Sequence, residues 1–383
     1  MRFPEFQGKW EKKRISEFCT LLKGTGISKD QLSTNGKPCI LYGELYTKYK
    51  AEIINEVLSC TELDANTLVK SKVNDVIIPC SGETAIDIAT ARCIPFDDVL
   101  LGGDLNILRS NKVNGSFLAY QLNGKRKYDI ARVAQGVSVV HLYGEHLNNI
   151  VISLPVIEEQ QKISRLLHLL DERIATQNKI IEDLKKLKSA IIEMEYGQMA
   201  KSISHIGDFI EQISKRNKDS AIKNVLSVSN SQGFIQQSEQ FENRIVASDD
   251  TSNYKIVKRN DFAFNPARIN VGSIARLTTF ERGIVSPMYI CFRTKDILLP
   301  EYLDYYFKSK QFSTEIQKRL EGSVRQCLSF DGLCNIPLSV PAIEIQQQIG
   351  KRLSALVQEI NLEIDFLELL QKQKKFLLYQ MFI

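Results

Sequence analysis

What this 383-residue sequence lacks narrows it first. No stretch is long and apolar enough to cross a membrane, because lysine and glutamate interrupt every candidate run. An apolar leader is also missing from Met1-Arg2-Phe3-Pro4. The eight cysteines form no CxxC pair and show no zinc spacing, so they read as reduced thiols of a cytoplasmic protein. Four scattered histidines add no metal site. Catalytic signatures are absent too: there is no GxGxxG after a strand, no GxxxxGK[ST], no HExxH and no GxSxG. Charge of one sign is not in large excess. A net +5 permits nucleic-acid binding without demonstrating it, since a solvated surface accounts for it equally well.

What the chain does have is a repeat. Leu154-Pro155-Val156-Ile157-Glu158-Glu159-Gln160-Gln161-Lys162-Ile163 returns as Val340-Pro341-Ala342-Ile343-Glu344-Ile345-Gln346-Gln347-Gln348-Ile349, at a shift of 341 − 155 = 186 residues. Each copy opens a run with the a/d spacing of a coiled coil. The first run selects Ile163, Leu167, Leu170, Ile174, Gln177, Ile181, Leu184, Lys188 and Ile191. The second selects Ile349, Leu353, Leu356, Ile360, Glu363, Leu367, Leu370, Lys374 and Leu377. The polar interruptions fall at the same places in both. Proline stops the preceding segment, and the acids Glu158, Glu159 and Glu344 that follow suit a helix N-terminus.

Connectivity makes the two helices antiparallel if they pack together. At 1.5 Å per residue, about 38 residues span roughly 57 Å, a rigid spacer between two heads. The predicted domains are a head over 1–153, a helix over 154–196, a second head over 197–339 and a second helix over 340–383. The fold class is α+β: two α/β heads in tandem, each followed by a long helix, with the helices paired as an antiparallel coiled coil.

The heads repeat more faintly. Asn74-Asp75-Val76-Ile77-Ile78-Pro79 matches Asn260-Asp261-Phe262-Ala263-Phe264-Asn265, a polar turn feeding a buried strand. Leu105–Arg109 parallels Tyr289–Arg293 as an apolar strand, and Phe117-Leu118-Ala119-Tyr120 pairs with Tyr302-Leu303-Asp304-Tyr305 in a helix. Gln135-Gly136 matches Glu321-Gly322 near each exit. The loops differ: Ser81-Gly82-Glu83-Thr84 in one head, Pro266-Ala267-Arg268-Ile269-Asn270 in the other. Divergent loops on a duplicated scaffold suit two readers of different half-messages. Drift after duplication is the alternative.

Taken in order and twice, these pieces closely resemble the DNA-specificity subunit of type I restriction-modification systems, over essentially the whole chain. Arg2-Phe3-Pro4-Glu5-Phe6 with Trp10 is similar to that family's entry segment. Ser81-Gly82-Glu83-Thr84-Ala85 with Leu101-Gly102-Gly103-Asp104-Leu105-Asn106 is similar to one class of its target-recognition domains. Asn265-Pro266-Ala267-Arg268-Ile269-Asn270-Val271-Gly272-Ser273-Ile274 with Ser286-Pro287 is similar to another. The resemblance implies a non-catalytic subunit that reads a split, asymmetric target in double-stranded DNA. It implies two methyltransferase subunits and restriction/translocase subunits as partners, with S-adenosylmethionine, ATP and Mg used by those partners and no cofactor bound by this chain. Asn265-Pro266-Ala267-Arg268 also resembles the Asn-Pro-Pro-aromatic motif of amino-methyltransferases, but lacks the second proline and the aromatic, which excludes that active site.

Arginine and lysine neutralise phosphates, while Arg, Asn, Gln and Ser reach base edges. The candidate contacts are therefore Ser81, Glu83, Thr84, Lys125, Arg126 and Lys127 in the first head, and Arg268, Asn270, Arg276, Arg325 and Gln326 in the second. Each has a plain alternative as a solvated or turn-stabilising residue. The rival reading of the whole chain is a coiled-coil adaptor with two protein-binding heads. Steep weakening of duplex binding by salt separates the two.

Overall fold

The computed structural model describes residues 2–197, 204–230, 232–237, 250–322 and 326–382. The chain divides into two compact units: residues 1–179 with 364–383, and residues 180–363. The division cuts across both long helices rather than falling at their ends. They run over Ile157–Tyr196 and Ile343–Gln380.

In the first unit a four-stranded antiparallel sheet has the order Thr20–Lys23, Leu105–Arg109, Asp75–Pro79, Arg92–Ile94. The central strand Asp75–Pro79 is buried along its whole length, which its Val-Ile-Ile run predicts. Asn74 turns the chain into it at φ +78, a conformation asparagine tolerates better than most residues. A second sheet, Leu32–Ser33, Ser59–Thr61, Lys37–Ile40, Leu100–Leu101, contains one parallel pair. The helix Gly115–Asn123 contributes Phe117, Leu118, Tyr120 and Leu122 to the core, with the Asn114 side chain accepting from Phe117 N at 2.9 Å as its N-cap. Strand Val151–Leu154 pairs with Glu11–Arg14 just before Pro155 ends it.

The second unit repeats this plan. Its antiparallel sheet runs Ile210–Ile213, Ile290–Thr294, Phe262–Phe264, Ile274–Arg276. The register is also the same. Thr20 faces Arg109 and Val76 faces Leu108 in one unit; Glu211 faces Arg293 and Phe262 faces Phe292 in the other. A second mixed sheet, Gly233–Gln236, Val225–Ser229, Arg282–Val285, Lys255–Lys258, again holds one parallel pair.

Each unit's core is completed by opposite ends of the two helices, so within each unit they pack antiparallel. Ile163, Leu167 and Leu170 join the first core together with Leu370 and Leu377 of the second helix and Met381 and Phe382 just beyond it. Ile192 and Tyr196 join the second core together with Ile349 and Leu353 from its start. Phe382 packs edge-on to Phe117 at 5.3 Å, and Tyr196 lies 4.9 Å from Tyr302. Positions 196 and 382 are again one repeat apart. Burying an aromatic of this size is worth about 1.5–3 kcal/mol, so each helix end is fastened where it meets a head.

Of the expected seam, Ile163, Leu167, Leu170, Ile181, Ile349, Leu353, Ile360, Leu370 and Leu377 are buried. Ile174, Leu184, Ile191, Leu356 and Leu367 are half-buried. The a/d step lands on Ile191, but the face that enters the second core carries Ile192 and Tyr196. Ile191 packs on that core from its edge, and Ile192 and Tyr196 enter it together with Ile349 and Leu353 of the partner helix. Lys374 likewise leaves the seam pattern. Its ammonium lies 2.5 Å from Asp171 and also pairs with Glu52, both buried.

Candidate nucleic-acid interface

In each unit the loop that diverges in sequence is held by the same backbone frame. A short exit hairpin is closed by reciprocal bonds between Gln135 and His141 (2.9 and 2.7 Å) in the first unit. Glu321 and Cys327 do the same in the second, at 2.9 Å both ways. The glycines that turn these hairpins, Gly136 and Gly322, sit at φ +125 and +100, where a side chain would be strained. Each hairpin then docks on the variable loop: Leu142 N donates to Cys80 O at 2.7 Å, and Leu328 N to Pro266 O at 3.0 Å. Both bonds lie exactly one repeat apart. The result in each unit is a two-loop platform.

The first platform places Glu83 and Thr84 at the surface. Thr84 caps the short helix Ala85–Ile88, accepting from Asp87 N at 3.1 Å. That helix packs on Lys127–Val133, which Lys125 and Arg126 precede. Ser81 turns inward instead. It is buried and its hydroxyl donates to Asp104 at 3.0 Å, so it holds the loop and offers nothing to an outside ligand. Lys125 is exposed, whereas Arg126 pairs with Asp129 at 3.1 Å. Lys127 is half-buried, and desolvation, then the nearby Arg92, pulls its ammonium pKa down. Val137 at the hairpin tip is 98% exposed, an outward apolar contact that polar motif reading passes over.

The second platform is a closed turn over 265–273. Asn265 N donates to Ser273 O at 3.0 Å, its buried side chain accepts from Ala267 N at 3.1 Å, and Ser273 N donates to Arg268 O at 3.1 Å. Gly272 completes it at φ +92. This turn leaves Arg268, Asn270 and Val271 exposed. Gln326 is exposed on the docked hairpin. Arg325 lies outside the described residues. Arg276 is not part of this platform. It sits at the opposite end of its strand, half-buried, 3.9 Å from Asp304 and 3.5 Å from the side chain of Asn260.

Among the described residues no group of His, Cys, Asp and Glu could hold a metal, and no helix is long and apolar enough to cross a membrane.

The duplicated sequence matches a known family. The family model for the type I restriction modification DNA specificity domain matches twice, at residues 7–186 and 202–371. The chain belongs to that family. It is similar to the type I restriction enzyme MjaVIII specificity subunit of Methanocaldococcus jannaschii, at 23% identity over 98% of this chain and 92% of the relative. The putative MjaX specificity subunit of the same organism is 24% identical over 72% of this chain and 70% of its own length. Among solved structures, the type I restriction-modification S subunit from M. genitalium matches with TM-score 0.62 at 15% identity, covering 100% of this chain and 97% of that one. A chain from a structure of type I complex assembly and conformational transition matches with TM-score 0.58 at 15% identity, covering 98% and 97%. As a specificity subunit the chain is non-catalytic, and the family model matches once in each copy of the repeat.

Proposed function

We propose that this specificity subunit reads a bipartite, asymmetric sequence in double-stranded DNA, one half with each platform, and positions the subunits that act on it. The observation that carries the reading is the shared hairpin frame of the two platforms, docked by Leu142 on Cys80 and by Leu328 on Pro266, set against their different outward residues. Glu83, Thr84 and Lys125 face out in one; Arg268, Asn270 and Gln326 face out in the other. A common scaffold with unlike polar groups suits two unlike half-sequences, because base edges are told apart by their donor and acceptor patterns. Arg268 suits a guanine and Asn270 an adenine. Glu83 is repelled by phosphate and is useful only as an acceptor from cytosine N4.

The long helices set the unspecified gap between the halves. Their outward apolar residues, among them Leu169 (52% exposed), Leu187 (50%), Leu362 (64%) and Leu369 (61%), are the surface that two methyltransferase subunits cover. Restriction/translocase subunits complete the assembly in the cytoplasm. S-adenosylmethionine, ATP and Mg are used by those partners, and this chain binds none of them.

The test is to map methylated adenines in a host expressing the chain with its methyltransferase subunit, then to exchange one head for that of a relative. The reading expects one bipartite motif whose corresponding half alone changes. A contiguous motif, or a change in both halves, overturns it.

A further inference from the structure

Each unit carries a second concave surface, and the two share a lysine and an arginine at equivalent positions, Lys72 with Arg109 and Lys258 with Arg293. In the first unit it is a cleft of about 530 Å³ whose charged lining is Lys72, Arg109, Lys112 and Glu17. In the second it is a cleft of about 250 Å³ lined by Lys215, Lys258, Arg293 and Glu211. Three cations and one acid occur in both. Hydroxyl and amide side chains such as Thr20, Asn111, Gln212 and Ser214 complete the walls.

The repeat builds both clefts from one device. Asn74 and Asn260 turn the chain at φ +78 and +71. The next residue is an aspartate that accepts from Lys72 N or Lys258 N, both at 2.8 Å. The same aspartate grips the arginine of the neighbouring strand with two bonds, at 2.9 and 2.7 Å to Arg109 and at 3.1 and 3.2 Å to Arg293. The arginine charge is thereby spent on its aspartate. The exposed lysines are not: among the described residues no carboxylate pairs with Lys72, Lys112, Lys215 or Lys258. Each cleft therefore holds an excess of uncommitted positive charge beside small polar groups.

The platforms diverged between the heads while Lys72 and Lys258, each beside its Arg–Asp pair, stayed at equivalent positions, so their ligand is a feature that both half-sites share. We infer that the two clefts bind backbone phosphates of the DNA, independently of sequence. The inference rests on the DNA-reading function proposed above. Each cleft lies at the far end of the central strand from the reading loop. Across the five residues of Asp75–Pro79 that is roughly 17 Å.

The test uses the full chain and a fluorescein-labelled 30-base-pair duplex of random sequence, titrated with salt. Each lost phosphate contact lowers the slope of log K against log salt by about 0.9, so the double variant K72A/K258A should lose about 2. K72R/K258R should keep the slope, because phosphate reads charge. A charge-matched control, K29A/K351A, removes exposed lysines elsewhere and should leave it nearly unchanged. A slope untouched in K72A/K258A, or lowered equally in the control, overturns the cleft assignment while leaving the DNA-reading function standing. Loss of methyltransferase-subunit assembly with an unchanged slope also overturns it, in favour of an acidic protein surface. An unsubstituted chain whose duplex binding ignores salt overturns the DNA-reading function itself.

Discussion

The Gln160 side chain joins the start of the first long helix to the helix of its head: its Oε1 accepts from Asn114 N at 3.0 Å while its Nε2 donates to Pro155 O at 2.9 Å. Gln346 does the same work one repeat later. It accepts from Leu299 N at 2.8 Å and donates to Pro341 O at 2.8 Å and Ile297 O at 2.9 Å. Asn114 and Leu299 are the N-cap positions of Gly115–Asn123 and Pro300–Tyr306, so each glutamine satisfies a backbone group that the helix itself leaves open. Removing either leaves part-buried polar groups without these partners. Gln160→Ala and Gln346→Ala should each cost about 1–3 kcal/mol. The two losses should add in the double variant, since the sites share no partner. Chemical denaturation of the single and double variants checks both statements.

A second prediction concerns the cation at the end of the second helix. Lys374 is shared by Glu52 and Asp171, and Asp171 also accepts from the Tyr120 hydroxyl at 2.8 Å. Lys374→Met leaves two buried carboxylates without their cation, at a cost of about 3–5 kcal/mol. Trp10, the single tryptophan, lies in the same unit, so its fluorescence during urea unfolding reports this loss directly.

The same cluster makes stability depend on pH. Burial raises the Glu52 pKa above the ordinary carboxylate range, opposed by Lys374. Above that range, and up to the raised value, the folded state holds a proton that the unfolded chain has released. Stability therefore falls as pH rises through this window and is level beyond it. Glu52→Gln removes the dependence. The difference in urea midpoint between the variant and the unsubstituted chain should grow in the variant's favour across the window, then stay constant.

On the second platform, Asn270→Ala and Arg268→Ala should each relax the motif at one position of one half-sequence, by about 1–3 kcal/mol of discrimination, or roughly 5- to 150-fold. The other half should be unaffected. Methylation profiling over a randomised site library measures both halves together.

Much of this architecture was legible because the repeat exposes it twice. Gln160 and Gln346 stand out as matched residues, although their bonds to Asn114 and Leu299 depend on where the heads fold back. Tyr196 and Phe382 escaped notice because they differ in type, and only their packing on Tyr302 and Phe117 shows them to be equivalent. Lys374 reads in sequence as an interruption of the seam, since its partner Glu52 is 322 residues away. Ser81 and Arg276 have the right chemistry for base contacts, but burial and strand direction take them away from the platforms, and neither property is written in a local motif.

The central claim is that two readers are held at a distance set by the helices. The direct measurement is the methylated motif after four residues are inserted into each helix, near Gln177 and near Glu363. Four residues lengthen a helix by about 6 Å, or one to two base-pair steps. The account predicts a gap wider by one or two base pairs between unchanged half-sequences. An unchanged gap, or altered half-sequences, would contradict it.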